Sequence, residues 1–412
     1  MSFESLGLSA PLLKAVEDYF EPTSVQEAAI PVILTGVDVI ATAQTGSGKT
    51  TAYVLPLLQR WLSASDGESR PLHTLVLVPT RELAAQVREV LQECSAHLSK
   101  HLKVVSAVGG VSINPQMMAL RGGADFIVAT PGRLLDLVEH NAVQLTRIRS
   151  LVLDEADRML NLGFAEEVSR ILKLLPVGRQ NVLLSATFPE SVESLAKDFL
   201  RDPTRIDIAP ETTDKPAIEE RAIRVDTAQR NPLLRHLIRK EAWKRVLVFV
   251  AKQTTADHVA EKLRINGISA AAFHGDMSQG ARTRVLESFK QSLTQVLVAT
   301  DLASRGLDIV QLPAVVNFDL PRSPVDYTHR IGRTGRAGQT GVAISFVTAE
   351  NHAHFCLIEK RQYQQIDREE IEGFEPTETV VQQAPSTGGI KGQRKSKKDR
   401  IREAAAREER GQ

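Results

Sequence analysis

The feature that most restricts what this chain can fold into is an alternation of short apolar runs with helical stretches, carried through twice. The first series is Val37–Thr42, Thr74–Val78, Val104–Val108, Phe126–Ala129, Leu151–Leu153 and Val182–Leu184. The second is Ala222–Val225, Val246–Val250, Ala270–Phe273, Val296–Ala299, Val315–Phe318 and Ala343–Phe346. Strands separated by helices pair in parallel and are covered on both faces, because each parallel connection has to cross over the sheet. The fold class is therefore α/β, with two tandem domains, each a mostly parallel sheet covered by helices. Length agrees, since 412 residues exceed what one ordinary core organises.

The boundaries follow from composition. Residues 208–217 read as an interdomain linker, because Ile208-Ala209-Pro210-Glu211-Thr212-Thr213-Asp214-Lys215-Pro216 is polar and bracketed by two prolines. This places an N-terminal domain at 1–207 and a C-terminal domain at 218–374. From about Glu375 the chain turns to Pro, Thr, Gln, Ser and Gly and then to a basic run, so 375–412 is expected to be a flexible tail. Lys391 to Arg402 sets seven basic residues against Asp399. Two readings of that run stay open: additional contacts to nucleic-acid phosphates, or a solubilising terminus.

Several classes are excluded. The apolar runs are strand-length, far short of a membrane span, and Met1–Ala10 carries neither a secretory signal nor a transit peptide. Two cysteines, Cys94 and Cys356, fall in different domains, which excludes a cysteine zinc site and points to a reducing compartment. A soluble cytoplasmic protein is expected. The net charge of +1 does not announce a nucleic-acid partner, so any such partner is held by local features.

The chemistry begins after the first run, at Ala43-Gln44-Thr45-Gly46-Ser47-Gly48-Lys49-Thr50, with a helical stretch following. Glycines let backbone N–H groups turn inward around phosphate, Lys49 supplies a cation and Thr50 can ligate magnesium. The strict pattern has Gly where this chain has Ala43. Leu151–Leu153 ends directly in Asp154-Glu155-Ala156-Asp157. Asp154 falls at the C-terminal edge of its strand, where it can hold Mg2+ mainly through water, and Glu155 is the candidate for orienting and deprotonating the attacking water. Alone, that tetrapeptide is equally a solvated acidic turn; its pairing with the glycine loop decides for catalysis. Near the end of the second domain stands His329-Arg330-Ile331-Gly332-Arg333-Thr334-Gly335-Arg336. The second domain has no glycine-lysine loop of its own, so this arginine segment is expected to complete the first domain's site. A surface salt-bridge cluster is the alternative for that segment by itself.

With these motifs in order, the chain resembles the DEAD-box RNA helicases, over roughly Phe3 to Val347. Further matches are Pro79-Thr80-Arg81-Glu82-Leu83-Ala84, Gly109-Gly110, Thr130-Pro131-Gly132-Arg133, Ser185-Ala186-Thr187 and Thr300-Asp301 through Arg305-Gly306-Leu307-Asp308. Met1–Leu8 and Gly109–Met118 look like the bacterial RhlE branch. The resemblance implies two RecA-like domains, ATP with Mg2+, and an adenine-recognising segment at Tyr19, Thr23 and Gln26, whose carboxamide suits adenine. It implies that Gly306 and Asp308 meet the nucleotide, Asp308 at the ribose, that Arg333 and Arg336 reach the γ-phosphate as catalytic groups, and that Asp157, Ser185, Thr187 and His329 couple the domains. Pro79, Thr80, Arg81, Gly110, Thr130, Gly132 and Arg133, with Gln279, Arg282 and Thr300, are implied to line the RNA path without reading bases. Singly, Thr80 and Thr130 read equally as helix N-caps.

The implied activity is an RNA-dependent ATPase, acting as a monomer on single strands and short duplexes, or on RNA–protein complexes such as ribosome precursors or degradation machinery. Two rivals follow from the same sequence: a non-hydrolysing RNA clamp or scaffold, and a DNA translocase of related build.

Overall fold

The computed structural model describes residues 2–19, 21–44, 46–64, 70–208, 218–304, 309, 312–335 and 340–378. Two seven-stranded parallel sheets are present. The first contains β1 (Val39–Thr42), β2 (Thr74–Leu77), β3 (Val104–Ala107), β4 (Phe126–Ala129), β5 (Ser150–Leu153), β6 (Gln180–Ser185) and β7 (Thr204–Asp207), in the order β3-β4-β2-β5-β6-β1-β7. The second contains β8 (Ile218–Arg224), β9 (Val246–Val250), β10 (Ala270–Phe273), β11 (Val296–Thr300), β12 (Ala314–Asn317), β13 (Gly341–Val347) and β14 (Arg368–Glu369), in the order β10-β11-β9-β12-β13-β8-β14. The second sheet thus repeats the first strand for strand.

Both faces of each sheet are buried, as the continuous apolar runs require. Successive residues of a strand point to opposite faces. Val76, Val128 and Val152 therefore join one core, under helices Lys49–Leu62 and Arg81–Ser95, while Leu75, Ile127 and Leu151 join the other. Trp61 and Tyr53 are fully buried on the first of these faces.

Each sheet gains a seventh strand that the apolar pattern does not announce. Three of the four residues of β7 are exposed and only Ile206 is buried; β14 is the charged pair Arg368–Glu369. Both lie at sheet edges, where one side of the strand needs no partner and polar residues are favoured. Ile208, expected to open the linker, still belongs to the first sheet: its N–H donates to Thr42 O at 2.9 Å. The rest of the expected linker, 209–217, lies outside the described residues, as do 379–412 of the tail with its basic run. The first residues of that tail are fastened. Thr377 N–H and Oγ1 donate to the Asp226 carboxylate at 2.9 and 2.6 Å, and Glu378 N–H donates to it at 2.9 Å. Among the described residues no helix is long and apolar enough to cross a membrane, Cys94 is buried and Cys356 exposed.

Candidate active site

Because all strands of the first sheet run parallel, the loops after β1, β5 and β6 share one edge. The loop after β1 turns into helix Lys49–Leu62 through Gly46 and Gly48, both with left-handed backbone (φ 84° and 89°). A side chain at Gly48 would also collide with Gln26, its Cβ falling 2.6 Å from Nε2. Ala43, by contrast, is not among the left-handed residues; it is buried and its N–H donates to Ser185 O at 3.2 Å, so glycine is not required there. Lys49 is buried, and its ammonium donates to Ala43 O and Gln44 O at 2.5 and 3.1 Å. Ser47 Oγ is enclosed without a hydrogen-bond partner, an acceptor-seeking hydroxyl inside a cradle of turned backbone that fits a phosphate. Thr45 lies outside the described residues.

The adenine candidates sit against this loop. Gln26 accepts Thr23 N–H at 3.0 Å through Oε1 and donates from Nε2 to Gly48 O at 3.3 Å. Tyr19 is half exposed and packs at 6.4 Å from the buried Phe3 ring.

At the end of β5, Asp154 is buried, and Tyr53 Oη donates to its Oδ2 at 3.0 Å. Burial, reinforced by the charge of Glu155, pushes the Asp154 carboxyl up to about 6, while Lys49 and the Tyr53 hydrogen bond pull it down. A threonine hydroxyl and a carboxylate are the hard oxygen donors that magnesium takes, so Thr50 and Asp154 fit that ion. Glu155 adopts the left-handed conformation (φ 52°), which a non-glycine residue holds at a cost of about 1–2 kcal/mol. Its Oε2 accepts Arg158 Nη1 at 2.5 Å.

Asp157 and the loop after β6 form one network. Asp157 Oδ2 accepts Thr187 N–H at 3.0 Å and Thr187 Oγ1 at 2.6 Å, Asp157 N–H donates to Ser185 Oγ at 3.3 Å, and Ser185 Oγ donates to Thr187 O at 2.6 Å. Across from it comes helix Pro324–Ile331 of the second domain. Glu155, Asp157, His329 and Arg333 line a common cavity between the domains. Burial lowers the proton affinity of His329, opposed by the Asp157 carboxylate. Arg330 is occupied within its own domain, forking onto Asp301 at 2.6 and 2.7 Å and reaching Asn317 Oδ1 at 3.0 Å. Arg336, Gly306 and Asp308 lie outside the described residues.

The expected RNA-path residues lie along the neighbouring strand ends. Gly110 is left-handed (φ 67°), and a Cβ there would fall 1.9 Å from Arg81 Nη2, so glycine is what admits Arg81. Thr80 caps its helix, accepting Leu83 N–H at 3.2 Å. Thr130 occupies the equivalent cap position, but its hydroxyl accepts Gly109 N–H at 3.3 Å instead. Arg133 donates from Nη2 to Val111 O at 2.8 Å, whereas its Nη1 and Gln279 Oε1 are enclosed without partners. Pro79 and Thr300 are buried, and Gly132 has open space beside it. Arg282 is engaged by protein: it donates from Nε to Glu82 Oε1 at 2.8 Å, from Nη1 to His274 O at 3.0 Å and from Nη2 to Ala303 O at 3.3 Å. The Glu82–Arg282 pair joins the two domains with both side chains buried.

Sequence reasoning missed Tyr53, Arg158 and the Glu82–Arg282 pair. Tyr53 had a signal, since it follows Lys49 by one helical turn and shares its face.

The DEAD/DEAH box helicase family model matches residues 23–195, and the helicase conserved C-terminal domain model matches residues 229–338. The DEAD-box ATP-dependent RNA helicase CshA of Geobacillus kaustophilus is 38% identical over 369 residues, which are 89% of this chain and 78% of that protein. The chain belongs to the DEAD-box RNA helicase family. Among solved structures, S. cerevisiae Dbp5 bound to RNA and ADP BeF3 is 33% identical with a TM-score of 0.77, covering 90% of this chain and 95% of that one. A Dbp5 variant bound to Nup159, Gle1, IP6 and ADP is 32% identical, covers 89% and 96%, and gives a TM-score of 0.60.

Proposed function

We propose that this chain is an RNA-stimulated ATPase that closes its two domains over ATP and single-stranded RNA, separates short duplexes or displaces bound protein, and releases RNA after hydrolysis. The observation that carries the reading is the cavity where Glu155 and Asp157 of one domain meet His329 and Arg333 of the other. In this reading Gln26, with Thr23 and Tyr19, selects adenine, and the loop Ala43–Thr50 wraps the phosphates, with Lys49 countering their charge. Thr50 and Asp154 hold magnesium, mainly through water, and the ion when bound neutralises phosphate charge. Glu155 orients water and takes its proton. Arg333 and Arg336 stabilise the charge that develops on the transferred phosphoryl group, and Gly306 and Asp308 meet the sugar side of the nucleotide.

Arg81, Gly110, Thr130, Gly132 and Arg133, with Gln279 and Thr300 opposite, hold RNA through its phosphates and sugars, so binding is independent of sequence. Since both ligands favour the closed state, each tightens the other's binding by the same factor. The working units are the expected domains 1–207 and 218–374, the first extended by Ile208 and the second by the segment that reaches Asp226, joined through the rest of 208–217. We further place the chain in the RhlE-like branch, as a cytoplasmic monomer that acts on RNA–protein complexes. Hydrolysis measured with single-stranded RNA, with DNA of the same length and with neither tests the reading. Stimulation by RNA alone is expected, and equal rates in all three would overturn it.

A further inference from the structure

Tyr53 belongs to none of the motifs that carry the family resemblance. On helix Lys49–Leu62 it follows Lys49 by four residues and Thr50 by three, so all three side chains share a face. The ring is fully buried. Its hydroxyl donates to Asp154 Oδ2 at 3.0 Å. The hydroxyl therefore touches one of the two side chains assigned above to magnesium, and the other, Thr50, stands on the same helix face. A buried tyrosine hydroxyl needs some partner, and here that partner is the carboxylate assigned to magnesium. Phenylalanine would fill the same volume and leave Asp154 Oδ2 without this donor.

We propose that Tyr53 is a positioning residue for the magnesium site: its hydroxyl fixes the plane of the Asp154 carboxylate before nucleotide arrives. This rests on the reading of Thr50 and Asp154 as the magnesium groups. The carboxylate otherwise turns about its side-chain torsions, and a metal bound through water tolerates little error in donor direction.

The test follows a fluorescent ATP analogue binding to the full-length protein while magnesium is titrated, in the wild type, Tyr53→Phe, Asp154→Asn and the double variant. Asp154→Asn is expected to remove the magnesium-dependent gain in affinity. Tyr53→Phe is expected to raise the magnesium midpoint about tenfold, the scale of one hydrogen bond to a charged group, with binding in EDTA unchanged. The double variant should match Asp154→Asn alone, because Tyr53 acts through that carboxylate. A wild-type midpoint in Asp154→Asn would defeat the magnesium reading and the proposal with it. With Asp154→Asn behaving as expected, an unshifted midpoint in Tyr53→Phe, or equal weakening in EDTA, would defeat the proposal alone. If Tyr53→Phe does not fold, wild-type protein carrying 3-fluorotyrosine replaces it, its fluorine signals assigned with Tyr19→Phe, Tyr327→Phe and Tyr363→Phe. The Tyr53 signal should move when magnesium is added to nucleotide-bound protein, and a fixed signal overturns the proposal.

Discussion

The two sheets share one strand order, but the equivalent strand ends are put to opposite uses. After β1 the chain turns through Gly46 and Gly48 and presents Lys49 at the start of a helix. After β8, in the same place in the second sheet, stands Asp226, and the helix that follows starts at Arg230. Asp226 takes the N–H and hydroxyl donors of Thr377 and the N–H of Glu378, so the chain's own C-terminal segment sits where the first domain has a phosphate cradle. Arg230 is held by Asp319 at 2.6 Å and by Phe318 O at 3.0 Å. A carboxylate at that strand end repels phosphate, and a paired arginine is not available to it. The fold was repeated and the chemistry was not. Whatever the second domain adds to ATP hydrolysis is added across the interface.

That contrast can be broken most severely at Arg333. Arg333→Ala should lower RNA-stimulated turnover by about 10³ to 10⁵ with ATP binding kept, measured in a single turnover. A loss below tenfold would mean that the first domain hydrolyses ATP on its own. Glu155→Gln, on the other side of the same cavity, should cost about 10² to 10⁴ in rate and still retain RNA in the presence of ATP. Failure of a folded Glu155→Gln variant to hold RNA would count against its role as the group that activates water.

The interface itself is probed by Glu82→Gln, which leaves Arg282 buried without its carboxylate. Losing one member of such a pair costs roughly 3–5 kcal/mol, here charged to the closed arrangement alone. That exceeds a typical coupling energy of roughly 1–3 kcal/mol, so an ATP analogue should no longer tighten RNA binding, while each domain keeps its own unfolding midpoint.

The smallest effect is expected in the second domain. The Thr377 hydroxyl, with the N–H groups of Glu378 and Thr377, holds the Asp226 carboxyl below the usual carboxylate range. A depressed folded value contributes stability above the ordinary value of about 3.9 and loses it as pH falls through the folded one. Protection of the Thr377 and Glu378 amides, relative to their intrinsic exchange rates, should therefore hold at neutral pH and fall only below about pH 4. Asp226→Asn should lower that protection at neutral pH without touching ATP binding, and the two proteins should converge as the Asp226 carboxyl is protonated.

The glycine-turned loop after β1 and the acidic turn after β5 were legible as local features, because each is a few neighbouring residues at the end of one apolar strand. Edge strands β7 and β14 were not, since charged residues satisfy an edge without leaving a pattern. Contacts that tie distant parts together were also hidden. Asp226 meets Thr377 across 151 positions and Arg282 meets Glu82 across 200, and no spacing rule links residues so far apart. Thr130 shows the limit of a local rule, for it has the sequence of an N-cap but gives its hydroxyl to Gly109.

The bond from Ile208 N–H to Thr42 O places the chain's exit from the first domain one residue before the phosphate loop begins. Strand β7 runs parallel to β1, so that exit lies at the same end of the sheet as the loop after β1. A lever hinged there has a short input arm and a long output arm. On the proposed reading, a small displacement of the loop around the phosphates becomes a larger sweep of the second domain, with the RNA as the load at its far end.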